Sequence, residues 1–191
     1  VSRMLREQRC RSGHKKKNPF FKPKTVMFFV IFAFVFCGGV VALAQETQVF
    51  FSPQRGCTKA VVGQLSKARQ SVDIAMYSLT SDEIAKEIMR AKNNKVKIRI
   101  ICDKSQRAQR SSQVGFLRDQ GVMVRLYEGQ GLMHNKFALI DDKVLITGSF
   151  NWTKNAEEDN AENLLVIFDK KLIAQYAKEF THLWVQGEEE K

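Results

Sequence analysis

Histidine is scarce in this chain: only His14, His134 and His182 occur in 191 residues. Cysteine is scarce as well, with Cys10 and Cys37 in the first 44 residues and only Cys57 and Cys102 beyond them. No two cysteines stand at a metal-binding spacing, which excludes a cysteine-based zinc site. Cys102 closes the apolar run VKIRIIC and reads as a buried strand residue. Cys57 and Cys102 are therefore either two buried thiols or, in an oxidising compartment, a disulfide. Carboxylates are not gathered either. The segment from His134 to Asn163 has one dense acidic run, EEDNAEN, and no cluster suited to Mg²⁺ or Ca²⁺. No metal and no cofactor is expected. The segment that carries His134 has no internal repeat.

What is abundant is positive charge, +11 overall, and it is unevenly placed. Val1 to Ala44 holds nine of the 31 Lys/Arg and one of the 20 acids, so 22 bases face 19 acids from Gln45 onward. A grip on a polyanion must then come from local placement, because the remainder is only mildly basic. The basic block ends in KPK and runs into VMFFVIFAFVFCGGVVALAQ, with small residues at Ala42 and Ala44. Residues 1–44 read as an export signal cut before Gln45, with an uncleaved membrane anchor as the alternative. Either reading puts a domain at 45–191 outside the cytoplasm, periplasmic or secreted, with any membrane contact through the N-terminal segment.

From Gln45 on, apolar runs of strand length alternate with stretches of helical period. QVFFS, VDIAMYSL, VKIRIICD, VMVRLYE and NLLVIFD read as strands. CTKAVVGQLSKARQ, with Ala60, Val61, Leu65 and Ala68, is a helix, and KLIAQYAKEFTHLWVQ is the closing one. Thr80 with Glu83 predicts a capping box opening DEIAKEIMRAKNN, whose Ile84, Ile88 and Met89 face inward. A further helix is expected from Ser111 to Gln120. The alternation implies an α/β fold: a mixed β-sheet sandwiched between helices on both faces.

His134 opens the run HNKFALIDDKVLITGSFNW, which splits at Asp141-Asp142 into a predicted hairpin. Strand alternation puts His134, Lys136, Ala138 and Ile140 on one face and Phe137, Leu139 and Asp141 on the other. His134 and Lys136 would stand roughly 6 to 7 Å apart, enough to bracket one phosphate. Gly148 would let backbone approach a ligand, and Ser149 and Asn151 add short neutral donors. By its face, Asp141 is structural, binding backbone or a basic neighbour beneath the site.

These residues match H-x-K-x4-D-x6-G-S-x-N at His134, Lys136, Asp141, Gly148, Ser149 and Asn151. The segment resembles the phospholipase D superfamily. With a single motif copy, FFSP, MYSLT, GSFNWTKNAEEDNAEN and HLW, the stretch from Gln45 to Gln186 is similar to the small bacterial Nuc-type endonucleases of that superfamily. The resemblance implies a phospholipase D-like fold and a homodimer that sets two motif copies face to face. It implies metal-independent phosphodiester hydrolysis through a covalent phosphohistidine, one His134 attacking phosphorus and its twin protonating the leaving oxygen. Lys136, Ser149 and Asn151 would hold the non-bridging oxygens, and Glu162 would accept a hydrogen bond from the histidine ring.

Around that site, Glu157, Glu158 and Asp159 read as a solvated loop, and His182 as a packing or surface residue. Lys104, Arg107 and Arg110 lie in DKSQRAQRSSQ, a loop able to hold a phosphate backbone, with an exposed polar loop as the alternative. Contacts to phosphate read no bases, so little sequence preference is expected. The favoured reading is a non-specific endonuclease on DNA, with RNA as a second substrate. A membrane-anchored phospholipase or cardiolipin hydrolase is the alternative, and a non-catalytic nucleic-acid-binding module is a third that the complete motif argues against.

Overall fold

Every strand read from the sequence forms in the computed structural model, which describes residues 46–189. The leader read at 1–44, with Cys10 and Cys37, lies outside the described residues. The strands are β1 (Gln48–Phe51), β2 (Ser71–Met76), β3 (Lys97–Asp103), β4 (Met123–Tyr127), β5 (Lys136–Ile140), β6 (Val144–Gly148), β7 (Asn163–Ile167) and β8 (Gly187–Glu189). The helices are α1 (Cys57–Leu65), α2 (Asp82–Asn93), α3 (Val114–Asp119), α4 (Lys154–Glu158) and α5 (Lys170–Val185). Among the described residues, no helix is long and apolar enough to cross a membrane.

All eight strands join one sheet in the order β1-β7-β6-β5-β2-β3-β4-β8. β2, β3 and β4 run parallel, as βα units require, while the other pairings are antiparallel. Alternation then sorts the side chains into two cores. Ile74, Met76, Ala138 and Ile140 pack with residues of α1, α2, α3 and α4 on one face. Ala75, Ile101, Phe137 and Leu139 pack against Ile173, Phe180 and Leu183 of α5 on the other. The fold is thus the expected mixed sheet between helices on both faces.

Three local expectations need correction. The cap of α2 is Ser81, whose hydroxyl accepts from the Ile84 N–H, so the Thr80/Glu83 box does not form. The reason is tertiary: the N–H groups of Thr80 and Ser81 both donate to the Trp152 carbonyl, holding Thr80 outside the helix. The helix expected at Ser111–Gln120 begins only at Val114, because the Gln113 N–H is drawn to the Leu79 carbonyl and the Ser112 hydroxyl to Gln106. Glu157 is no solvated loop residue. It lies in α4, and its carboxylate accepts from the N–H groups of Gly56 and Thr58 at the open start of α1. β8 had no sequence signal, since GEE lacks β-branched and aromatic residues and pairs with β4 mainly through backbone, beside an Arg125–Glu189 contact at 3.7 Å.

The hairpin turns at Asp141 and Asp142 as expected. Both adopt left-handed backbone (φ 54° and 53°), and the Lys143 N–H donates to the Ile140 carbonyl at 2.9 Å. The strand register places the end of β2, the start of β5, the end of β6 and the start of β7 at one end of the sheet: Met76 pairs with Lys136, and Gly148 with Leu164. The Asp141 turn is at the opposite end.

Candidate active site

His134 lies in the loop just ahead of β5, exposed between two pinned neighbours. On one side Met133 is buried in the α5-side core and its N–H donates to Asp103 Oδ2 at 2.9 Å. On the other, the Asn135 carbonyl accepts from the Tyr77 N–H at 2.9 Å. The backbone is therefore fixed while the ring faces solvent. Because β5 begins only at Lys136, the strand spacing expected between the two side chains does not apply. Lys136 folds back instead, its ammonium donating to the His134 carbonyl at 2.7 Å and lying 2.9 Å from His134 Nδ1. Tyr77 backs both, with its ring 4.4 Å from the imidazole and 5.0 Å from Lys136 Nζ. Burial pushes the Lys136 pKa below its usual value, against the opposing pull of the nearby Glu162 carboxylate.

Behind β6 the chain closes on β7. Gly148 has φ 150°, and a Cβ there would sit 2.2 Å from the Asn163 carbonyl oxygen. The close approach that this glycine permits is thus to β7 backbone rather than to a ligand. It lets the Asn163 carbonyl accept from both the Ser149 and Phe150 N–H groups. The exposed Ser149 hydroxyl donates to Glu162 Oε2 at 2.5 Å and accepts from the Asn163 N–H. Glu162 is held further by Asn160 Nδ2 at 3.2 Å, and its N–H donates to Ser52 Oγ. Asn151 Oδ1 is buried without a hydrogen-bond partner among the described residues. In this single chain Glu162 accepts from Ser149, and the group at the histidine Nδ1 is Lys136. His134, Lys136, Ser149, Asn151 and Glu162 all lie at the same end of the sheet.

Asp141 is at the far end. Its carboxylate accepts from the N–H groups of Arg69, Gln70 and Ser71, at 2.7 to 3.2 Å, tying the β5-β6 turn to the start of β2. Burial alone would push this carboxyl up, but the three backbone donors outweigh it and hold the pKa below the ordinary value. A carboxyl lower in the folded than in the unfolded chain stabilises above its unfolded pKa of about 4 and stops doing so as pH falls through the folded value. Asp141→Ala should therefore cost about 2 kcal/mol at pH 7. The gap to wild type should narrow on acidification below about pH 4 to the pH-independent cost of alanine in left-handed backbone, with activity per folded molecule retained at neutral pH. Urea unfolding at pH 7 and pH 3 measures this; a gap that does not narrow at low pH contradicts it.

Sequence reasoning missed Asp103, which is fully buried at the end of β3 and joins two loops of the site. It accepts from Ser105 N–H and Met133 N–H, each at 2.9 Å. Burial raises its pKa, yet hydrogen bonds from Ser105 and Met133 and the charge of Lys104 bring the net shift below the usual range. The available signal was an acid ending the apolar strand VKIRIICD. Tyr77 and Gln106 were also missed. Gln106, 4% exposed, accepts from the Leu79 N–H and so links the loop after β3 to the loop after β2.

Lys104 and Arg107 fall in a short 3₁₀ turn after β3, capped by Asp103, and Arg110 follows; all three are exposed. They stand at the active-site end of the sheet, although Arg107 also lies 3.8 Å from Glu128. His182 is exposed on the last turn of α5, its Nε2 2.7 Å from Gln186. No disulfide joins Cys57 and Cys102, and burial, reinforced by Glu157 and Glu162, pushes the Cys57 thiol up to about 11. Among the described residues, no three His, Cys, Asp or Glu side chains gather to hold a metal ion.

A mixed sheet whose one end presents this histidine, lysine, serine and asparagine defines a phosphodiesterase of the phospholipase D type. The comparisons agree. Residues 61–184 match the family model described as "Cardiolipin synthase, PLD-like domain". The chain is 36% identical over 122 residues to the human mitochondrial cardiolipin hydrolase, covering 64% of this chain and 48% of that protein. It is 38% identical over 126 residues to a phospholipase D of Rickettsia prowazekii, covering 66% and 62%. It spans about half the length of the cardiolipin hydrolases it matches. Among solved structures, Nuc of Salmonella typhimurium superposes with a TM-score of 0.73 at 29% identity, covering 76% of this chain and 98% of that one. NucT of Helicobacter pylori gives 0.72 at 32%, covering 76% and 99%. The chain belongs to the phospholipase D superfamily.

Proposed function

We propose that the protein is a metal-independent endonuclease that hydrolyses phosphodiester bonds of DNA, and of RNA as a second substrate, without sequence specificity. The observation that carries this reading is the exposed His134 ring on a pinned backbone, with Lys136 at 2.9 Å. Histidine attack needs a lone pair on Nε2, hence a proton on Nδ1. A lysine ammonium beside Nδ1 has donors only and opposes that tautomer. Phosphate oxygens compete for the same ammonium, so a bound phosphodiester draws Lys136 off the ring. Nδ1–H is then left to donate to a carboxylate, the role proposed for Glu162.

The reaction then runs in two displacements. His134 Nε2 forms the N–P bond as the P–O bond to the leaving oxygen breaks, and that oxygen takes a proton from a second histidine. Water attacks phosphorus next, giving its proton to the second histidine, and the N–P bond breaks. Lys136, Ser149 and Asn151 hold the non-bridging oxygens as charge builds. One chain supplies one His134, so the second is the twin in a homodimer with two-fold symmetry. Lys104, Arg107 and Arg110 flank the path of the phosphate backbone. An export segment at residues 1–44, with the catalytic domain at 45–191, places the activity in the periplasm or outside the cell.

A cardiolipin hydrolase or other phospholipase using the same histidines is the second reading, favoured by the names of the relatives at 36 to 38% identity. Against it, of the two apolar residues preceding His134, Met133 is buried at 2% exposure and only Leu132 is presented to solvent. The deciding experiment gives one preparation plasmid DNA and cardiolipin vesicles, each with excess EDTA. Nicking of the plasmid that survives chelation, with the vesicles intact, is expected. Vesicle hydrolysis alone would overturn the nuclease reading. Activity lost to EDTA and restored by Mg²⁺ would overturn the metal-free mechanism.

A further inference from the structure

The end of the sheet opposite the active site carries a group of lysines that the reaction does not use. Strand register puts there the starts of β1, β2, β3 and β4, the β5-β6 turn and the end of β7. Lys67, Lys95, Lys97, Lys143, Lys170 and Lys171 stand in these connections and at their margins, and all six are exposed. Among the described residues, none of the six forms an ion pair. Acids in the same connections are engaged elsewhere. Asp141 accepts from three backbone N–H groups, Asp169 caps α5 through the Leu172 N–H, Asp119 pairs with Arg118, and the charge of Asp142 bears on Arg99.

Apolar surface is interspersed with this charge. Met123, at the start of β4, and Leu172, next to Lys171, are 45% and 40% exposed. A groove of about 300 Å³ sets Ile140, Val144 and Phe168 against Lys67, Arg69 and Lys143, with Asp141 in its wall. Bases with apolar side chains between them suit the boundary of a bilayer, where cations meet lipid phosphate and apolar groups leave water. A polynucleotide backbone would use the bases alone. The chain also enters from this side: Glu46 and Thr47 lead into β1, whose Gln48 pairs with Val166 near the end of β7. In sequence, the apolar run Val26 to Ala44 ends two residues before Glu46. An anchor there would tether the domain by the same end that carries the lysines.

We infer that this end of the domain docks on an anionic membrane surface, its lysines against lipid phosphates and Met123 and Leu172 at headgroup level. The bases belong to the folded domain, so docking holds with residues 1–44 attached or cut. His134 then faces away from the bilayer, roughly 20 Å from the docked end along β5 at ~3.4 Å per residue. Lipid in the same bilayer is out of its reach, and a polyanion in solution is not.

The test uses the domain 45–191, because both cores and all eight strands lie within residues 46–189. It should sediment with phosphatidylcholine vesicles containing phosphatidylglycerol, and not with phosphatidylcholine alone. Lys67→Glu/Lys143→Glu/Lys170→Glu should weaken that binding roughly a hundredfold. The same variant should hydrolyse bis(4-nitrophenyl) phosphate within about twofold of wild type, which shows its fold intact. Lys104→Gln/Arg107→Gln/Arg110→Gln, at the opposite end, should leave vesicle binding within about threefold of wild type. Equal sedimentation with neutral vesicles refutes the docking face, as does a loss caused by the second variant and not the first. If the first variant loses affinity for a short DNA duplex as steeply as for the vesicles, the lysines hold polynucleotide and the membrane assignment fails. A domain that docks as expected yet cleaves no polynucleotide keeps this face and loses the nuclease reading.

Discussion

His134→Asn should lower turnover of any phosphodiester by roughly 10⁴-fold or more while leaving the fold intact, because one ring is asked to be nucleophile in one half-site and acid in the other. Loss of the nucleophile removes the covalent route, and loss of the twin removes leaving-group protonation. The prediction of an intact fold follows from position. The His134 side chain is exposed, and the contacts that fix its loop are made by neighbouring backbone, through Met133 to Asp103 and Asn135 to Tyr77. Thermal unfolding and near-UV circular dichroism of the variant should therefore match wild type. Turnover within about tenfold of wild type would rule out the histidine mechanism. A collapse of stability would instead show the ring to be structural.

How far the sequence carried this picture depended on whether a feature was written locally. The strands were legible because runs such as KIRIIC and KFALI are mostly apolar, and their apolar side chains divide between the two cores. The six motif positions were legible because their spacing is fixed along one hairpin. Asp141 has the structural role read for it, but it lies in the turn at the far end of the hairpin rather than on the opposite strand face beneath the site, and three backbone donors give that role its physical content. What could not be read was long-range. Ser81 displaces Thr80 as the cap because Trp152 reaches across to take both N–H groups. Glu157 caps α1 from about a hundred residues away, and Asp103 holds Met133 from the neighbouring loop. Each is a side chain whose partner is set by topology, so nothing adjacent in sequence announces it. The strand spacing assumed for His134 and Lys136 failed for a related reason. Asp103 and Tyr77 bind the backbone on either side of His134, and β5 starts two residues later than a continuous strand would.

A mixed dimer of wild type and His134→Ala should fail to cleave an ordinary polynucleotide, although it contains one intact nucleophile. The chain carries one motif copy, whereas the proposed reaction needs a histidine to attack phosphorus and another to protonate the leaving oxygen. In the mixed dimer the remaining ring can attack, but its facing position holds a methyl group. Expelling an alkoxide without a general acid forfeits roughly 10²- to 10⁴-fold in rate. A nitrophenolate leaves without that proton, so bis(4-nitrophenyl) phosphate should still release its first equivalent from the mixed dimer, at least once per site. Water then lacks its base, and the phosphohistidine should persist long enough to be trapped by a denaturing quench at alkaline pH, where its P–N bond survives. Differentially tagged subunits, co-expressed and purified on both tags, provide the species. A burst of one nitrophenolate per mixed dimer, with no oligonucleotide cleavage, is the expected pair of results. Oligonucleotide cleavage at half the wild-type rate per dimer would mean that each chain holds a complete site. The second histidine would then have no part in the reaction, and the acid would have to be sought within one subunit, among the groups around Glu162 and Lys136.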